Sequence, residues 1–231
     1  MTEPPPADPV RARVQALARE ALARGETTAW FERLYREASG DASRVPWADL
    51  EPNAALAAWT ADPRALAGLR TAAVVGCGLG DDAEHLAAKG LEVLAFDVSP
   101  TAIDWARAMH PGSRVRYEVG DLFALPAAWR DRFDLAVEVY TLQALPRRAR
   151  GEAAAAIRSL LAPGGRLFLF TRLRDEDPAY DEATSGPPWP LTRTEVASLI
   201  SGLDAVTPLT ETRDPDEPAI LRAFGVWRRS T

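Results

Sequence analysis

One cysteine, one lysine and two histidines are all that 231 residues contain of those types, and these scarcities narrow the chemistry. The single cysteine, Cys77, excludes an intramolecular disulfide framework and a cysteine-based zinc site. It fits a reducing, cytoplasmic compartment. No metal site is expected. No apolar run reaches the roughly 18 residues that a membrane-spanning helix needs. Residues 1–10, proline-rich and acidic, lack the charged-then-apolar layout of a secretory signal. Lys89 stands alone against 26 arginines; with abundant alanine, that ratio reads as compositional bias rather than as a design for phosphate recognition. A net charge of −6 argues against non-specific binding to a phosphate backbone. Neither a nucleic acid nor a membrane is expected as a partner.

What is present is a core-forming chain, 47% apolar, with the length of one domain plus a small appendage. Residues 1–8 read as a disordered proline-rich tip. Val10, Val14, Leu17, Ala21 and Leu22 recur at helical spacing over 9–24. Gly25 ends that helix, and Thr27 or Thr28 caps a second over 29–37. A loop over 40–52 carries Val45-Pro46-Trp47, and a short helix over 53–60 follows. From Leu69 the pattern alternates: buried strands over 72–75, 91–96, 115–119, 133–139 and 166–171, with helices over 81–89, 99–109 and 146–161 between most of them. Alternation of this kind predicts a three-layer α/β/α, Rossmann-like fold with a parallel sheet covered on both faces. Pro163-Gly164-Gly165 reads as a helix stop before the fifth strand. A long polar loop over 172–190, a helix over 192–201 and an antiparallel hairpin from 205–212 and 219–228 complete a mostly parallel seven-stranded sheet. The expected organisation is an N-terminal helical cap over 9–68 and a ligand-binding domain over 69–231.

The most informative stretch is Ala72-Ala73-Val74-Val75-Gly76-Cys77-Gly78-Leu79-Gly80-Asp81-Asp82. A strand ends in three alternating glycines and a helix begins at once, where a sharp turn must bring bare backbone to a ligand. Asp97 closes the next strand roughly 20 residues on, where an acid typically accepts ribose hydroxyls. Asp121 follows the third strand, in position to read an adenine edge. A nicotinamide dinucleotide would want glycine where this chain has Asp81, and a helix start free of acid for its pyrophosphate. Asp81 and Asp82 suit an amino or sulfonium group instead, which favours S-adenosylmethionine.

On these residues the sequence resembles the class I S-adenosylmethionine-dependent methyltransferases, and within them the thiopurine, thiol and halide branch. Val74, where the wider family carries an acid, and Gly76-Cys77-Gly78 are similar to that branch. So are Trp30 with Val45-Pro46-Trp47-Ala48-Asp49, and Gly186-Pro187-Pro188-Trp189-Pro190-Leu191-Thr192 followed by Glu195. The resemblance implies that Gly76, Gly78 and Gly80 pass under the methionine portion of the cofactor. Asp82 would meet its amino group, Asp97 and Val98 the ribose, and Asp121, Leu122 and Phe123 the adenine. Trp30 and Trp47 would close over the sulfonium.

The fourth strand ends in Glu138-Val139-Tyr140-Thr141-Leu142-Gln143, where such enzymes meet their acceptor. Glu138, also counted among the cofactor contacts, and Tyr140 are the candidate catalytic residues. Gln143, Arg172 and Trp189 are candidates for substrate binding with Tyr140. Arg147–Arg150 and Glu152 read as an exposed helix face; Trp59, Trp105, Trp129 and Trp227 read as packing. His85 and His110 lie on helices, away from an obvious base position, so an acceptor that ionises readily is expected: a small thiol or similar soft nucleophile. An O- or N-methyltransferase, a nicotinamide oxidoreductase and a non-enzymatic cofactor-binding module are the competing readings. The expected state is a monomer or homodimer.

Overall fold

A computed structural model describes residues 8–213 and 217–231. The expected tip lies outside these residues save for Asp8, whose Oδ1 accepts the Val10 N–H at 2.9 Å and caps the first helix.

Three helices lead the chain: α1 (Pro9–Ala23), α2 (Ala29–Ala38) and α3 (Ala54–Ala61). Asn53 caps α3 by accepting the Ala55 and Leu56 N–H groups. Alternating elements follow: β1 (Thr71–Val75), α4 (Asp81–Ala88), β2 (Glu92–Asp97), α5 (Pro100–Met109), β3 (Arg116–Val119), β4 (Phe133–Val139), α6 (Arg147–Leu160) and β5 (Leu161–Leu173). The one-turn α7 (Glu182–Ser185), α8 (Arg193–Leu199), β6 (Leu203–Arg213) and β7 (Leu221–Arg229) complete it. The seven strands lie in the order β3-β2-β1-β4-β5-β7-β6. The first five are parallel, and β7 is antiparallel to both β5 and β6. The expected hairpin is present, with its second strand rather than its first against β5.

Successive side chains of a strand point to opposite faces, and the central strands are apolar on both. Ala73, Val75, Phe96, Ala136 and Leu167 pack with Ala153 and Ile157 of α6. Ala72, Val74, Ala95, Val137 and Phe168 pack with Leu86 of α4 and Ile103 of α5. Full burial of each large apolar side chain contributes roughly 1.5–3 kcal/mol. Trp129 tilts against Phe96, Trp59 against Phe168, and Trp105 meets the edge of Tyr35.

Two local expectations are corrected. The fifth strand begins at Leu161, pairing with Phe133 through a register break, instead of after the Pro-Gly-Gly sequence. A Cβ at Gly165 would lie 2.7 Å from the Phe133 carbonyl oxygen, so the close pairing requires glycine. Arg150 does not belong to an exposed face. It is 3% exposed, and its guanidinium donates to the carbonyls of Leu145 and Trp189 and to Glu195. That network pins the segment after β5 to α6.

The strand order reverses between β1 and β4, which opens a crevice beyond the carboxyl ends of the strands.

Candidate active site

A cavity of about 430 Å³ occupies that crevice. Its floor is the turn after β1. Gly76 and Gly78 have φ of +57° and +53°, and a Cβ at Gly76 would lie 2.5 Å from Thr141 Oγ1. At Gly78 it would lie 3.0 Å from the Tyr35 hydroxyl. Both glycines line the cavity. Gly80 does not. At φ +96° it starts α4 from behind the floor, where a Cβ would strike the Tyr117 ring. The expectation of ligand contact at Gly80 is therefore corrected to close packing.

Carboxylates ring the floor. Asp97 is 7% exposed; its Oδ2 accepts the Gly78 N–H at 3.1 Å and its Oδ1 the Ser99 N–H at 2.9 Å. Burial pushes its pKa up to about 6 against the opposing backbone hydrogen bonds. Each carboxylate oxygen keeps a lone pair for a further donor. Asp82 accepts the Asn53 N–H at 2.7 Å, fixing the start of α3 to α4, and burial pushes its pKa up to about 6 as well. Asp121 Oδ1 accepts the Phe123 N–H, a local turn that presents Leu122 and Phe123 to the cavity. Val98 lines the cavity beside Asp97. Asp81 lines the cavity with Asp82, as its place at the helix start suggested, and Asp8, Asp49, Glu51 and Glu217 add carboxylates to which the sequence had given no role.

The roof comes from the N-terminal helices. Trp30 and Trp47 both line the cavity, with ring centroids 6.0 Å apart at 82°. Phe31 stacks on Trp30, and Trp47 donates its indole N–H to Tyr35 at 2.7 Å. Phe31 and Tyr35 were missed: they lie one and five residues beyond Trp30 on α2, and only the packing shows that both face inward. Glu32 fixes α2 in place by accepting from the Ser99 and Thr101 hydroxyls, at 2.7 and 2.8 Å, at the start of α5.

At the far end Tyr140, Gln143 and Arg172 line the cavity as expected. Tyr140 holds φ +63°, a strained conformation for a tyrosine, with its N–H on the Phe170 carbonyl. Gln143 Oε1 accepts the Arg172 N–H at 2.6 Å. Arg172 lies opposite Arg222 across β5 and β7, and both reach the cavity; the register of the last strand, invisible in the sequence, makes that pairing. Arg172 Nε is buried without a hydrogen-bond partner.

Two expected residues lie elsewhere. Glu138 is fully buried beneath α6, in an apolar niche with Ile157, Leu167 and Leu169. Its Oε1 accepts the Leu142 N–H, its Oε2 has no partner, and burial raises its pKa to about 7. It is not among the residues that line the cavity, although its register partner Val75 is, so it touches neither candidate cofactor nor acceptor space. Trp189 is 2% exposed and donates its indole N–H to the Glu182 carbonyl. It anchors the loop, and its neighbours Pro187 and Pro188 reach the cavity instead. Neither histidine lines the cavity: His85 bonds to Thr60 and His110 to the Leu79 carbonyl.

Residues 73–165 match a family described as a methyltransferase domain. The thiopurine S-methyltransferase of Aliivibrio salmonicida is 35% identical over 105 residues, 46% of each chain. The ubiquinone biosynthesis O-methyltransferase of Xanthomonas axonopodis is 36% identical over 102 residues, 42% of this chain and 41% of that one. The chain thus spans about half the length of these curated relatives. Among solved structures, the 1,6-didemethyltoxoflavin-N1-methyltransferase of Burkholderia thailandensis, with S-adenosylhomocysteine bound, gives a TM-score of 0.64 at 21% identity. That likeness covers 100% of this chain and 94% of the other, and it shows the shared fold.

Proposed function

We propose that this chain is a class I S-adenosylmethionine-dependent methyltransferase related to the thiopurine branch and that it methylates a small thiol or similar soft nucleophile by direct in-line displacement. The observation that carries this reading is the composition of the acceptor end. Tyr140, Gln143, Arg172 and Arg222 face it, the buried Glu138 does not, and among the described residues no histidine does. Two guanidiniums and no imidazole suit an acceptor that arrives as an anion, because they lower the pKa of a bound thiol and need remove no proton at the moment of transfer.

S-adenosylmethionine supplies the electrophilic methyl group when bound. The residues present fit it: Gly76 and Gly78 leave a cradle that a Cβ would fill, and the acids around it match an ammonium and two ribose hydroxyls. Asp97 and Val98 would hold the ribose, Asp82 the amino group, and Asp121, Leu122 and Phe123 the adenine. Trp30 and Trp47, from a helical segment over 9–68 that acts as a lid, would exclude water and place aromatic faces near the positive sulfur. Tyr140 and Arg172 would align the acceptor sulfur behind the methyl carbon, so that one carbon–sulfur bond forms as the other breaks. Alignment of that kind lowers barriers by on the order of 7–11 kcal/mol in favourable cases.

O-methylation is the second reading. It is favoured by Asp49, a cavity carboxylate whose charge acts on Tyr140 and which could serve as base for a phenol. Release of S-adenosylhomocysteine from panels of thiols, phenols and amines separates the two. Turnover concentrated among thiols is expected; turnover of phenols or amines with silence across thiols overturns the choice.

A further inference from the structure

The tyrosine above the glycine turn carries a proton for which no acceptor is found among the described residues. Tyr35 is 1% exposed, and its phenolic oxygen receives the Trp47 indole N–H at 2.7 Å. That bond takes up a lone pair and leaves the hydroxyl hydrogen to point elsewhere. Among the described residues no group receives it. A buried donor left in this state is costly unless a ligand satisfies it. Its location is specific: a Cβ on Gly78 would lie 3.0 Å from the Tyr35 oxygen, so the hydroxyl hangs over bare backbone inside the cavity.

The surroundings define what the donor faces. Asp49, Asp81 and Asp82 line the same region, and this wall suits an ammonium and repels a carboxylate. An α-amino acid carries both groups, and its anionic half needs a donor that is not itself an acid. We propose that Tyr35 donates to the carboxylate of the cofactor's amino-acid portion while the acids take its ammonium, so that Tyr35 selects ligands with a complete zwitterionic end. This inference rests on the reading that the cavity takes S-adenosylmethionine. Donation from Trp47 polarises the hydroxyl and strengthens it as a donor. Burial and the charge of Asp97 hold the phenol well above its ordinary pKa, so the proton is present throughout the physiological range. The Glu32 contacts with Ser99 and Thr101 fix α2, and Tyr35 is therefore positioned before any ligand arrives.

Calorimetric titration of wild type and Tyr35→Phe tests this with two ligands: S-adenosylhomocysteine, and its decarboxylated counterpart, which keeps the amine and lacks the carboxylate. Tyr35→Phe is expected to weaken the first at least tenfold and the second by less than twofold. Equal loss for both ligands would mean that Tyr35 only supports the fold of the roof, and would overturn the inference, as would no loss for either. Arg11 and Thr28 also line the cavity; carboxylate-selective loss in Arg11→Gln or Thr28→Val but not in Tyr35→Phe would transfer the role and overturn it too. Failure of wild type to bind either ligand would instead sink the cofactor reading on which it stands.

Discussion

The Ser99 hydroxyl donates to Glu32 Oε2 at 2.7 Å while accepting the Ala102 N–H at 3.0 Å, so one side chain caps α5 and ties α2 to it. Trp30 and Tyr35 ride on the helix that this contact fixes. Burial raises the pKa of Glu32, but the bonds from Ser99 and Thr101 outweigh it and the net shift is downward. The stabilisation is therefore present above the ordinary carboxylate range and is lost as pH falls through the depressed value. Glu32→Gln is expected to cost about 1–2 kcal/mol in urea unfolding at pH 7 and to weaken S-adenosylhomocysteine binding several-fold.

Cofactor affinity carries its own pH signature. Asp82 and Asp97 both stand near pKa 6 through burial, above their ordinary value. Their contribution to the stability of the free protein is complete below the ordinary carboxylate pKa and is lost as pH rises through about 6. A bound ammonium and ribose favour the ionised forms. Affinity for S-adenosylhomocysteine should rise between pH 5 and about 7 and then level off, with protons released on binding at the lower end. Titrations in buffers of different ionisation enthalpy measure that release, and Asp82→Asn should flatten the rise.

Much of this was readable from the chain. The alternation of apolar runs with helical stretches sufficed for the central sheet, and Gly76, Gly78, Asp82, Asp97 and Asp121 announced the cavity floor because strand ends are local features. The roof and the acceptor end were less legible, since they depend on contacts between distant segments. Tyr35 faces inward only because α2 is rolled into place by Glu32, and Arg222 faces Arg172 only because β7 inserts beside β5. Glu138 was misplaced because its position at a strand end is visible in sequence, whereas the apolar niche that takes its side chain and the Leu142 N–H that holds it there are not. Arg150 looked like surface amid its neighbours until the folded loop supplied two carbonyls and a carboxylate.

Glu138 yields a test with two readouts. Its raised pKa, about 7 through burial, means that its contribution to wild-type stability is lost as pH climbs from the ordinary glutamate value through neutrality. Glu138→Gln keeps an acceptor for the Leu142 N–H and removes the ionisation. Its melting temperature should vary less between pH 5 and 8 than that of wild type, by an amount equivalent to roughly 1–3 kcal/mol. Methyl transfer should stay within a few-fold; a loss of a hundredfold or more would restore Glu138 as a base.

The second and third glycines of the turn should separate by phenotype. Gly80→Ala drives a methyl into Tyr117 behind the floor and is expected to destabilise the fold by about 1–3 kcal/mol, with little change in cofactor affinity for the fraction that folds. Gly78→Ala crowds the Tyr35 hydroxyl inside the cavity and should weaken S-adenosylhomocysteine binding more than it lowers the melting temperature. Thermal melts with and without that ligand compare the two.

Because β7 lies between β5 and β6, the edge strand has no partner until a segment encoded after it has been made. During translation β6 leaves the ribosome as an orphan, its backbone donors and acceptors open to any passing strand. The seven-stranded sheet is complete only when residues up to Arg229 have emerged. A nascent chain stalled before that point keeps its first five strands competent to pair and leaves its sixth available for aggregation.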